Sequence, residues 1–165
     1  MNSVKTATRY TLYYIIALSA IVMAMVSCRS QKTLLHEFAA IDGEEWNIKD
    51  SLHFEIDSVT SGGNCETTLE FRTNANYPYR NISIVMTQSL RREDKRITKT
   101  IAYDIVDKDG KNNGEGITYF THRIPFCTMN IQEGDTADIF IRHNMQDNIL
   151  PGIADVGVLV ERIEN

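Results

Sequence analysis

Residues 52–57 read Leu52-His53-Phe54-Glu55-Ile56-Asp57, with an apolar side chain at every second position and a polar one between. Successive side chains of an extended strand point to opposite faces. Leu52, Phe54 and Ile56 therefore share one face, and His53, Glu55 and Asp57 the other. This is the pattern of a strand with one side in a core and one in water. The same period recurs at Thr67, Leu69 and Phe71, at Ile82, Ile84 and Met86, at Ile101, Tyr103 and Ile105 within 97–106, and at Ala137, Ile139 and Ile141. Ile117 to Ile124 and Asp155 to Arg162 add two further extended runs. Turn formers separate them: Ser61-Gly62-Gly63-Asn64, Asn74 to Pro78, Asp107-Lys108-Asp109-Gly110, Asn112-Asn113-Gly114 and Gln132-Glu133-Gly134-Asp135. Seven or eight short strands of this kind predict an all-β domain, an antiparallel β-sandwich with a jelly roll as one form of it. An open barrel is the alternative closure.

Upstream the character changes. Lys5 and Arg9 precede an apolar run of 15 residues from Leu12 to Val26, broken only by Ser19, and Ser27 ends it. A positive segment, an apolar segment and a small residue make the layout of a secretory signal peptide. The run is shorter than the roughly 20 residues a spanning helix needs, and an uncleaved signal anchor is the alternative. Met25-Val26-Ser27-Cys28 resembles a bacterial lipobox, with Met25 where leucine is usual. The resemblance implies diacylglycerol on Cys28, cleavage before it, and acylation of the new amine with a chain such as palmitate. Each buried methylene contributes about 0.8 kcal/mol, so two or three chains hold a protein on a membrane durably where one does not. The expected organisation is a signal peptide over 1–27, a lipidated tether over 28–43 and a β-sandwich domain over 44–165.

Removing residues 1–27 leaves 15 Lys and Arg against 22 Asp and Glu, a net charge of −7. An acidic domain is a poor ligand for polyanions, since phosphate contacts need clustered cations, and no nucleic-acid partner is expected. The basic cluster Arg91-Arg92 with Lys95-Arg96 is interleaved with Glu93 and Asp94, as in a solvated loop between strands. Export implies a compartment where thiols oxidise. With Cys28 lipidated, Cys65 and Cys127 are the one pair left for a disulfide, and two buried free thiols are the alternative.

No catalytic constellation is visible. His36, His53, His122 and His143 are far apart in sequence and none has zinc-ligand spacing. Asp107-Lys108-Asp109-Gly110 imitates part of a calcium loop, but the alignment puts Ile105 and Gly116 where oxygen ligands are required, so a hairpin turn is expected. There is no nucleophile elbow, phosphate-binding loop or dinucleotide fingerprint. No metal, cofactor or enzymatic activity is expected. Tyr77-Pro78-Tyr79 invites a choice between rings stacked on a sugar and rings packed over the end of the core with their hydroxyls bonded at its rim. Trp46, the single tryptophan, is expected to anchor the core at the entry to the first strand.

Cys28, then Trp46 with Asp50 and Phe54, then Phe71-Arg72-Thr73-Asn74 running into Tyr77-Pro78-Tyr79-Arg80-Asn81, resemble in order the gliding-motility lipoprotein family called GldH. Asp107 to Gly116, in the place of that family's Gly-rich turn, and Met145 followed by Leu150 to Val158 continue the resemblance. It departs at Asn112-Asn113, where the family's turn commonly carries a tryptophan. The resemblance implies a non-catalytic lipoprotein whose partners are envelope proteins of the gliding and secretion machinery, with Tyr77, Tyr79, Arg80 and Asn81 as candidate contacts. A carbohydrate-binding sandwich, with Tyr77, Tyr79 and Tyr119 as candidate stacking platforms, is the alternative. Arg29 follows the cysteine where an aspartate would signal inner-membrane retention, and no acidic cluster follows, so by analogy the outer membrane, facing the periplasm, is expected.

Overall fold

Period-2 patterning produces strands throughout a computed structural model that describes residues 33–163. In chain order these are β1 (Thr33–Ala40), β2 (Glu45–Asn47), β3 (Leu52–Ile56), β4 (Gly63–Thr73), β5 (Asn81–Leu90), β6 (Lys95–Asp104), β7 (Glu115–Gly116), β8 (Phe120–Ile131), β9 (Ala137–His143), β10 (Ile149–Pro151) and β11 (Ile153–Arg162). A 3-10 turn at Asp42–Glu44 is the only helical segment among the described residues. Every strand pair is antiparallel.

The strands form a five-stranded sheet in the order β1-β11-β4-β8-β7, a four-stranded sheet in the order β3-β9-β5-β6, and a β2-β10 ribbon. With the three short strands set aside, two four-stranded sheets with these crossing connections make a jelly roll. The core lies between them. Leu69, Phe71, Val156, Val158, Val160, Met129 and Ile131 from one sheet meet Phe54, Ile82, Ile84, Met86, Ile139 and Ile141 from the other, all buried. Each such side chain contributes about 1.5–3 kcal/mol by leaving water. Phe71 lies fully buried in β4, so its truncation to alanine should cost about 3–5 kcal/mol through lost burial and the cavity left.

Two segments depart from the expected pattern. The sequence predicts a tether over 28–43, but residues 33–40 form β1, an edge strand paired with β11 from Thr33↔Glu161 to Ala40↔Asp155, and Ile41 is in the core. A register irregularity between Thr33 and Leu35 leaves Leu34 and Leu35 both half-buried, which erases the period that would reveal a strand. In β8 the expected run ends at Ile124, whereas the strand continues to Ile131. Thr67 pairs with Cys127 and Thr68 with Pro125, so Phe126 is the extra residue of a bulge. The bulge shifts the inward phase by one residue. It also accommodates Pro125, which has no N–H for a ladder.

Candidate functional site

Four connections gather at one end of the sandwich: residues 41–51, 74–80, 105–119 and 144–152. The other end carries the tighter turns at 57–62, 91–94 and 132–136, together with the start of β1 at Thr33. The long connections are joined by their own polar groups. Glu44, at φ +58, accepts hydrogen bonds on its carboxylate from the Asn74 amide and from the Tyr119 hydroxyl, the latter at 2.8 Å. Its carbonyl accepts from the Gly152 N–H at 2.8 Å, and the Gly152 carbonyl accepts from the Asn74 N–H at 3.0 Å. All four connections are thus locked at Glu44 and Gly152.

The predicted contact residues lie together here. Tyr77 and Tyr79 are half-buried, their rings edge to face with centroids 5.5 Å apart. The Tyr77 hydroxyl donates to the Asn81 carbonyl at 2.8 Å and the Tyr79 hydroxyl to the Asp147 carboxylate. Burial, followed by the neighbouring Tyr79, raises the Tyr77 pKa well above the usual phenol range. Arg80 donates from its guanidinium to the Asp107 carbonyl at 2.6 Å, and its own carbonyl accepts from Ile105 N–H at 2.8 Å. These groups tie the 74–80 connection to its neighbours, and the two tyrosines present no joint flat platform. Trp46, fully buried, donates its indole N–H to the Asp50 carbonyl at 3.2 Å and meets His143 edge to face at 5.4 Å.

Other predicted residues lie elsewhere. Cys28 is outside the described residues. Cys65 and Cys127 are free thiols on adjacent strands, with no bridge between them. They are diagonal neighbours, since Cys65 pairs with Met129 and Cys127 with Thr67. The Cys127 thiol points to Gln88 Oε1 at 3.4 Å, and burial raises the pKa of both thiols. In a Cys28→Ala protein, a thiol reagent should therefore count two thiols in denaturant without reductant and react only slowly with the native fold. A count of zero would show the pair oxidised.

The histidines have four separate environments. His36 pairs with the buried Glu70 at 2.8 Å and His53 with Asp138 at 2.9 Å, both at the sheet surfaces. His122, buried, stacks on Phe71 with centroids 4.8 Å apart, contacts Thr73 Oγ1 through Nε2 at 3.0 Å, and has an Nδ1 with no hydrogen bond among the described residues. Burial lowers its pKa to about 4. Among the described residues no three His, Cys, Asp or Glu side chains converge as metal ligands would. Glu44, Tyr119, His122 and Gly152 organise this end of the fold and were not singled out from the sequence for those roles. The Pro151-Gly152 pair was the one usable signal, as a turn.

The two packed antiparallel sheets, with long connections interlocked at one end, define a small β-sandwich domain of jelly-roll topology. The sequence profile of the GldH lipoprotein family matches residues 33–160, and the chain belongs to that family. It is 27% identical over 148 residues to the gliding motility lipoprotein GldH homolog of Christiangramia forsetii, covering 84% of this chain and 89% of that protein. Among solved structures, the CBM35 from Cellvibrio japonicus Abf62 aligns over 83% of this chain and 94% of its own at 16% identity, with a TM-score of 0.33, a likeness too slight to bear on fold or ligand.

Proposed function

We propose that this protein is a non-catalytic accessory of the gliding and secretion machinery, fastened to the outer membrane by lipid on Cys28, facing the periplasm, and acting through protein contacts. The carrying observation is spatial. The segments at Trp46, 71–81, 107–116 and 145–153 lie at or run into the loop-bearing end, whereas β1 begins at the opposite end. Cys28 precedes Thr33 by five residues, and the eight residues of β1 set the loops roughly 26 Å from the strand's start. Ile117, 94% exposed, with Ile149 and Tyr119, gives that end apolar groups suited to a protein surface.

Cys28→Ala is expected to move the protein from the membrane to the soluble fraction, with mass spectrometry of the wild type finding an acylated cysteine at its N-terminus. An unmodified Cys28 in membrane-bound protein would refute the anchor. For the contacts, photocrosslinkers at positions 79 and 117 should capture envelope proteins, while one at position 133 on the opposite turn should not. Equal capture from both ends removes the case for the loop surface, and protease digestion of the domain on intact cells contradicts the periplasmic placement.

A further inference from the structure

We propose that two copies of this chain pair through β6, joining their four-stranded sheets into one continuous antiparallel sheet. Among the described residues β6 is an edge strand, bonded to β5 alone. The Ile105 N–H bonds the Arg80 carbonyl in register with the β5–β6 ladder, so odd-numbered residues of β6 turn their main-chain groups to β5 and even-numbered ones turn theirs outward. The Asp104 carbonyl fits this parity, because it accepts from the Asn113 side chain beyond the strand. Among the described residues, nothing bonds the outward main-chain groups of Arg96, Thr98, Thr100 and Ala102.

The sequence along that edge is self-complementary about Thr100. In an antiparallel pairing centred there, Thr100 meets Thr100, Thr98 meets Ala102, and Arg96 meets Asp104 of the second copy, twice over by symmetry. All of these are even-numbered residues, so the outward main-chain groups align as hydrogen-bonded pairs, about eight bonds in all with both Asp104 carbonyls already taken by Asn113. A one-residue slip would put outward groups opposite groups already bonded to β5. Arg96 and Asp104 are exposed, and neither side chain has a partner among the described residues. Opposite charges directly across a ladder favour pairing, and like charges oppose it.

A lysine pointing inward from an edge strand usually guards it against such pairing. Here Lys99 is engaged within its own protomer, where its ammonium donates to the Phe126 carbonyl at 2.7 Å and lies 5.5 Å from the Phe126 ring centroid. The bulge in β8 thus draws the guarding charge away from the edge. The two-fold axis stands normal to the joined sheet, so both five-stranded sheets lie on the same face of it, with the two β1 starts at opposite ends of the strands.

The test uses the full chain in intact envelopes. Thr100→Cys places two thiols across the axis, at a Cα spacing of about 5.5 Å, and a short bis-maleimide should link the protein to itself. Thr128→Cys, exposed on the other sheet, is the control and should link at least tenfold less. Added to Thr100→Cys, Arg96→Asp or Asp104→Arg should each reduce linking at least tenfold, and the R96D/D104R exchange should restore it. Circular dichroism on the purified variants checks that these surface changes leave the fold intact. Linking no greater than the control, linking to a different protein, indifference to the single charge changes, or failure of the exchange to restore it overturns the proposal.

Discussion

Gly152→Ala is expected to destabilise the domain by about 3–5 kcal/mol, seen as a fall in thermal midpoint on the order of 10–20 °C. Gly152 has φ +80, and a Cβ added there would lie 2.4 Å from Tyr77 N and 2.8 Å from Asn76 C. Both obstacles are backbone, so no rotamer change relieves them. The clash falls where Asn74 N–H bonds the Gly152 carbonyl and Gly152 N–H bonds the Glu44 carbonyl. Gly110→Ala separates conformation from contact, because Gly110 has nearly the same φ, +82, with nothing within 4 Å of an added Cβ. It should cost only about 1–2 kcal/mol, the price of a left-handed alanine. Equal losses in the two variants would show that the close approach at Gly152 is unimportant.

The domain is also expected to lose about 2–3 kcal/mol of stability between pH 7 and pH 4.5 on account of His122 alone. In the fold, burial against Phe71 holds this histidine neutral down to about pH 4, whereas in the unfolded chain it protonates near the ordinary 6.5. Below 6.5 the unfolded state therefore binds more protons than the native one. The contribution is fully present above that pH, is lost as pH falls toward about 4, and changes no further below it. Burial lowers the pKa of His143 too, so it works in the same direction. Asp138, whose pKa is lowered to about 2 chiefly by the hydrogen bond from Arg91, adds a separate loss below its ordinary range near 3.8. Urea midpoints for the wild type and His122→Asn at the two pH values isolate the term. If both proteins lose the same stability, His122 is not its source.

Legibility followed the regularity of burial. β3, β5 and β9 alternate cleanly, because each has one face on the core and one in solvent, and they were readable residue by residue. β1 was missed because its irregular start buries Leu34 and Leu35 together while Phe38, on the outer face, lies over Arg72 at 5.7 Å. The second half of β8 was missed because the bulge at Phe126 changes phase beside a proline. At the loop-bearing end, the grouping of Tyr77, Tyr79, Arg80 and Asn81 could be anticipated as a turn. Glu44 could not, since its role depends on Asn74 and Tyr119, 30 and 75 residues away.

By itself the sequence determined the strand class, the antiparallel sandwich and the family relationship, because these depend on side-chain period, turn residues and short ordered motifs that are local in the chain. Only the tertiary structure decided the order of the strands, the placement of Cys65 and Cys127 on adjacent strands, the burial of His122 and the edge position of β6. Each of those depends on which distant segment lies alongside, and period 2 identifies a strand's inner face without naming its neighbour.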